Sequence, residues 1–157
     1  MFLFLCKCFL GLILAMLLLG VARTLFLEHS DNQAKFSAGK FPSVAPEGFF
    51  KGTVPGYSVS WKGKKFSAAE SSGINLFDDG NGGQKERYPF VTSEGKGVHD
   101  KSLEVLKIDY NISANPLWLR PILDEIVEVS PEHFLGKVHV RIIPGFPFTL
   151  AFFELQK

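Results

Sequence analysis

The segment from Phe134 to Ile143 alternates in polarity with a period of two, which is the repeat of a β-strand with one buried face. Gly136 and Val138 share one parity, and Lys137 and His139 share the other. The alternation predicts that Gly136 and Val138 face the core. Lys137 and His139 are expected to face water, with His139 as an ordinary surface histidine.

Other short runs rich in Val, Ile and Phe follow the same rule. In EVLKIDY, the shared parity of Lys107 and Asp109 predicts that Ile108 and Tyr110 point inward. In DEIVEV, an outward Glu128 would turn Val127, Val129 and, by the same parity, Glu125 toward the core. The final run, FTLAFFEL, is apolar on both parities and is predicted to be a buried strand.

Turn-forming residues separate these runs, and no long amphipathic helix is evident among them. The predicted turns are DDGNGGQ at 78–84, SEGKG at 93–97, SPEH at 130–133 and PGFP at 144–147. Consecutive strands with short connections favour an antiparallel meander that closes into a small β-barrel. We assign this all-β domain to residues 48–157, and residues 28–47, which are polar and show no sustained period, to a linker.

Residues 1–27 form a hydrophobic segment whose uninterrupted apolar part, Cys8 to Ala22, would be about 22 Å long as a helix. We interpret it as a signal anchor that holds the domain outside the bilayer in a single-pass membrane protein. A cleaved signal peptide, which would release a secreted or lumenal domain before Arg23, is the alternative. Cys6 and Cys8, the chain's two cysteines, are candidates for acylation, but their surroundings favour a role as small apolar residues.

The charge balance argues against nucleic-acid binding. Without Lys7 and Arg23, the chain has 15 basic and 16 acidic residues, which is close to neutral. The histidines lack metal-ligand spacing, and the DDGNGGQ turn does not continue as a calcium-binding loop, so no metal or cofactor is predicted. No hydrolase motif is present, and an enzymatic role is therefore left open but not favoured.

Two further segments supply candidate site residues. NPLWLRPILDEIVEV is expected to cross one end of the barrel as a loop before its strand, where Arg120, Asp124 and Glu125 would form a buried charge network. In WKGKKF, a two-residue turn at Lys62-Gly63 is expected to bring Trp61 and Phe66 to one face of a hairpin.

The order of several short segments resembles a lipocalin-like family that is named for a Gly-x-Trp-x-Gly motif and has a companion domain of unknown function. The segments are WKGKKF, GINLF, LKIDYN, NPLWLRPILDE, HFLGKV and FFEL, and they span Tyr57 to Leu155. Val59 replaces the first glycine of the motif, and Asp109-Tyr110 inverts the order expected of a Tyr-Asp pair. The resemblance implies a small lipocalin-like β-barrel and does not imply an activity.

These observations favour a membrane-associated, non-enzymatic barrel that binds a small apolar ligand or a lipid. A membrane-tethered structural or assembly protein with a solid core, and an unidentified protein partner, is the second hypothesis. The third is an isomerase- or cyclase-like enzyme that uses Asp109, Asp124 or Glu125 as a general base. The predicted ligand-binding residues are Trp61, Lys64, Tyr110, Trp118, Arg120, Asp124, Glu125 and Phe153.

Overall fold

A computed structural model of the chain describes residues 2–157, with side chains from residue 7 onward. It confirms the predicted all-β architecture: eight antiparallel strands form a closed barrel in sequence order, preceded by an apolar helix. The helices are α1 (Phe2–Glu28) and α2 (Asp31–Ala38). The strands are β1 (Gly48–Thr53), β2 (Trp61–Ser67), β3 (Ser72–Asp78), β4 (Gln84–Lys96), β5 (Glu104–Asp109), β6 (Ile122–Ser130), β7 (His133–Val140) and β8 (Phe148–Gln156).

The meander gives the barrel two different ends. The connections 54–60, 79–83, 110–121 and 141–147 lie at one end, which we call the portal end. The connections 68–71, 97–103 and 131–132 lie at the opposite end. The predicted turns after β3, β6 and β7 are confirmed, whereas β4 runs through most of the predicted SEGKG turn as far as Lys96.

Aromatic and aliphatic side chains fill most of the barrel interior. Phe50 contacts Phe66 and Phe134, with ring centroids 5.8 and 5.2 Å apart, and Phe66 contacts Phe90 at 5.3 Å. Ile108 and Tyr110 point into this core, as predicted. Burial of aromatic rings in offset and edge contacts is a large stabilising contribution, so the interior around Phe50 and Phe66 is a packed core.

Strand β2 contains a bulge where the sequence predicts a turn. WKGKKF lies within one strand, and the register against β3 shifts between Trp61 and Gly63. Gly63 has a φ of 137°, which a glycine adopts readily. A bulge adds one residue and thereby reverses the parity of the residues after it, so Trp61 and Phe66 both reach the interior without a hairpin.

The outer face of β6, β7 and β8 is covered by the two helices. Phe36 of α2 is fully buried there with Val127, Leu135 and Phe152, and the end of α1 adds Leu27. Part of the segment that was expected to be a linker is therefore helix α2, which packs against the barrel. The face of β7 that was expected to be solvated is buried. Lys137 and His139 are completely buried.

Helix α1 runs along β8 toward the portal end and continues past it. The ring of Phe148 lies beside Gly20, Thr24 accepts a 3.0 Å hydrogen bond from the Thr149 amide, and Leu27 lies deeper against the barrel. Most apolar side chains from Phe9 to Leu19 are exposed. Its Lys7–Glu28 part is long and apolar enough to cross a membrane, a test that a signal sequence would also pass.

Candidate functional site

A cavity of about 340 Å³ opens into the barrel at the portal end. Strand β1 pairs with β8 only from Lys51 to Thr53, so the first residues of β8 have no β1 partner. The connection from Val54 to Ser60 flanks this gap, and the cavity enters there. Its wall includes the apolar residues Val54, Val59, Trp61, Phe77, Val138 and Phe153. We call it the portal cavity.

The inner end of the portal cavity carries an ion pair. Lys64 Nζ lies 2.9 Å from Asp124 Oδ2, and the two residues are only 2% and 3% exposed. The β2 bulge and the parity of β6 bring the two side chains inside the barrel from non-neighbouring strands. Removal of either charge would leave the other buried without a counterion, so the pair behaves as one unit.

Three acceptors surround the Lys64 ammonium group. Besides Asp124, Nζ donates to Asn75 Oδ1 at 3.0 Å and to the Tyr110 hydroxyl group. The ammonium group also lies 5.1–5.4 Å from the ring centroids of Trp61, Phe90, Tyr110 and Phe153. This aromatic surrounding favours a cation at Nζ through the negative faces of the rings.

Asn75 joins the remaining polar atoms into one network. Its amide nitrogen donates to the Tyr88 carbonyl at 2.9 Å and to the Tyr110 hydroxyl at 3.1 Å. Its Oδ1 also accepts from Trp61 Nε1 at 3.0 Å. Asn75 was not among the site residues predicted from the sequence, although it is the one polar side chain in the segment GINLF.

Burial and the Asp124 charge set the protonation of this network. Desolvation lowers the pKa of Lys64, and the charge and hydrogen bond of Asp124 oppose that shift. Desolvation raises the pKa of Tyr110 well above its usual range, and the Asp124 charge raises it further. Tyr110 therefore stays a neutral phenol, and its hydroxyl donates to Asp124 Oδ2 at 3.1 Å.

Glu125 lies on the outer face of the barrel, opposite to the expected inward direction. It is fully buried under the helix-covered side, where Oε2 lies 3.1 Å from His139 Nε2 and Oε1 accepts from the Val98 amide. Nearby, Lys137 pairs with Glu28 of α1 at 3.1 Å and with Asp100 at 2.7 Å. This second charged cluster lies outside the portal cavity and joins α1 and the 97–103 connection to the barrel.

The remaining predicted site residues are separated from the cavity. Trp118 is 66% exposed in the 110–121 connection, where its ring meets Tyr88 with centroids 5.7 Å apart. Arg120 donates to the carbonyls of Asn115 and Ser113, so the expected network with Asp124 and Glu125 does not form. Of the predicted residues, the cavity lining brings together Trp61, Lys64, Asp124 and Phe153, and Tyr110 touches Lys64 and Asp124.

The acidic residues proposed as general bases are also dispersed. Asp109 lies on the outer surface and pairs with Arg141 at 2.6 Å, whereas Glu125 is under the helices. Only Asp124 lies beside Tyr110 in the cavity. The side chain of Cys6 lies outside the described residues, and Cys8 is exposed on α1.

No family model, curated protein or solved structure matches this chain. The resemblance to the lipocalin-like family therefore stays a prediction.

Proposed function

We propose that the protein is a membrane-anchored, lipocalin-like β-barrel that binds a small amphipathic lipid without catalysis. The portal cavity carries this proposal, because it joins an apolar wall to a buried polar end. Its volume of about 340 Å³ lies within the range of roughly 300–1,000 Å³ that is typical of small-molecule sites. An apolar chain would occupy the outer part, with its polar group toward Lys64 and Asp124.

The proposed membrane location is supported by surfaces at the portal end. Helix α1 projects from this end with its apolar side chains exposed. The connections beside it expose Tyr57, Leu117, Trp118, Ile142 and Phe146, which are 48–77% accessible. Apolar and aromatic side chains of this kind suit the interface between head groups and acyl chains. The cavity entrance would then face the bilayer, from which an apolar ligand could enter directly.

Ligand binding is tested on the full-length chain purified in mild detergent. Native mass spectrometry should detect a bound lipid from the host membrane at up to one molecule per chain. Trp61 lines the cavity, so its emission in a Trp118→Phe variant should change when that lipid is added. The variant leaves Trp61 as the single fluorophore, because the chain has two tryptophans.

A cavity-filling variant tests whether the lipid occupies the portal cavity, and a matched surface variant is its control. Ala151 lines the cavity, and Ala151→Trp should fill it and abolish the bound mass. Ala69→Trp places the same side chain on an exposed turn at the opposite end and should bind as the wild type does. Recovery of empty wild-type protein, together with an unchanged Trp61 emission across a lipid panel, would refute ligand binding.

A further inference from the structure

The hydrogen-bond donors at the inner end of the portal cavity are all used within the protein. Lys64 Nζ donates its three protons to Asp124, Asn75 and the Tyr110 hydroxyl. Trp61 Nε1 and both protons of the Asn75 amide also have protein acceptors. The Tyr110 proton goes to Asp124 Oδ2. A ligand that needs a donor from this network would therefore have to break an existing bond.

One acceptor remains available there. Asp124 Oδ2 receives both Lys64 and Tyr110, whereas Asp124 Oδ1 accepts no hydrogen bond from any residue that the structure describes. Asp124 is 3% exposed, and it lines the portal cavity. This oxygen is not fully buried, because it keeps access to the cavity, so a donor inside the cavity can reach it.

We infer that the portal cavity selects a neutral amphiphile whose polar head is a hydroxyl group, which donates to Asp124 Oδ1. This inference rests on the proposed function and adds the chemical class of the ligand. An alcohol supplies one donor where one acceptor is free, and its chain follows the apolar wall. A carboxylate head lacks a donor at neutral pH and would place a second negative charge beside Asp124.

The first experiment compares decan-1-ol, decyl methyl ether and decanoate on the full-length chain in detergent. Free concentrations are fixed by equilibrium dialysis, and binding is read from Trp61 emission in the Trp118→Phe background. The alcohol should bind about tenfold or more tightly than the ether, since a hydrogen bond to a charged acceptor is at stake. Decanoate should bind more weakly than the alcohol as well.

The second experiment reverses the head-group preference with Asp124→Asn. The amide oxygen of the introduced side chain would keep accepting from Lys64 and Tyr110, so its NH₂ group would face the cavity as a donor. The ratio of alcohol to decanoate affinity should fall about tenfold or more relative to the parent. Partition into micelles is common to both proteins and cancels in this ratio. Glu70→Gln, an exposed change at the opposite end of the barrel, should leave the ratio unchanged.

The outcomes separate this inference from the proposed function. Equal affinity for the alcohol and the ether, or tighter binding of decanoate to the wild type, overturns the hydroxyl assignment while ligand binding stands. An unchanged ratio in a folded Asp124→Asn protein overturns it too. If none of the three compounds binds, the inference fails, and the proposed function fails with it only if the wild-type protein is also recovered empty and the lipid panel leaves Trp61 emission unchanged. The ether comparison uses the parent protein, so the test does not depend on the variant folding.

Discussion

Lys64 is a buried cation inside the barrel, and the stability of the fold depends on its pairing with the carboxylate of Asp124. Lys64→Met removes the charge but leaves Asp124 buried with neutral donors alone, which should lower the free energy of unfolding by about 3 kcal/mol. The double variant Lys64→Met/Asp124→Leu removes both charges. It should recover most of that loss, because an apolar pair of similar volume can replace a buried ion pair.

Urea unfolding of the parent, the two single variants and the double variant gives the coupling free energy. A strongly favourable coupling is expected, since each single change leaves the other charge buried without its counterion. Lys65→Met is a suitable control, because the Lys65–Glu86 pair is exposed and should matter little. Additive losses in the double variant would contradict the view that Lys64 and Asp124 act as a unit.

His99 provides a pH-dependent contribution on the helix-covered side. Burial lowers its pKa below the ordinary 6.5, the nearby Glu28 opposes this, and His139 and Lys137 add to the lowering. As the pH falls through about 6.5, the unfolded chain takes up a proton at His99 more readily than the folded chain. The free energy of unfolding should therefore decrease over this window as the solution becomes acidic.

The measurement is urea unfolding at two pH values, about one pH unit below and one pH unit above the ordinary histidine pKa. His99→Gln should show a smaller acid-induced loss of stability than the parent. His29→Gln, which changes an exposed histidine between α1 and α2, should keep the parental pH dependence. The prediction is wrong if the His99→Gln protein loses as much stability as the parent.

The choice between Asp124 and Glu125 shows where residue-level prediction from sequence ends. Adjacent residues of a strand face opposite sides, so only one of Asp124 and Glu125 can point inward. The prediction took Glu128 as an outward residue, and this choice turned Glu125 toward the core. Glu128 has the inward parity but sits half-buried near the strand end, where its carboxylate accepts from the Ser43 amide. A charged residue can hold an inward parity at the rim of a barrel, so the parity assignment of β6 was wrong.

At the scale of the element, the glycine of the β2 bulge sets the direction of Lys64. An added Cβ at Gly63 would lie 2.0 Å from the Phe50 carbonyl oxygen, and its φ of 137° disfavours other residues. Gly63→Ala should therefore destabilise the barrel by more than the roughly 1–3 kcal/mol of backbone strain alone. It should also weaken binding in the portal cavity, because the bulge positions Trp61 and Lys64.

Gly56 is the matched control, since it has a φ of 80° but its Cβ would meet nothing within 4 Å. Gly56→Ala should cost about 1 kcal/mol, close to the backbone term alone. Thermal unfolding and Trp61 emission compare the two variants. Equal losses at both glycines would mean that the close approach of β1 to β2 does not constrain the bulge.

Element prediction succeeded where a local signal was sufficient. The turns after β3, β6 and β7 carry their own Gly, Pro and Asn signals, and the inward parity of Ile108 and Tyr110 is set within β5. The polar face of β7 could not be predicted as buried, because the partners of Lys137 are distant in sequence. Its contacts with Glu28 and Gln33 span 109 and 104 residues.

At the scale of the whole molecule, one end of the barrel combines three features that the strands themselves do not require. The cavity entrance, the exposed apolar connections and the projecting part of α1 all lie at the portal end. In the described chain, no helix projects from the opposite end. If α1 crosses a bilayer, this asymmetry between the two ends implies one orientation of the barrel, with the portal end toward the bilayer.

That orientation predicts which tryptophan is close to lipid. A Trp61→Phe variant keeps Trp118 as its single fluorophore at the portal end, where Trp118 is 66% exposed. In vesicles whose phospholipids are brominated high in the acyl chains, Trp118 emission should be strongly quenched. The comparison protein carries Trp61→Phe, Trp118→Phe and Ala69→Trp, which moves the fluorophore to the opposite end. Its emission should be nearly unaffected, because strands of six or more residues separate the two ends by roughly 20 Å. Equal quenching at both ends would rule out the proposed orientation, even if α1 remains inserted in the membrane.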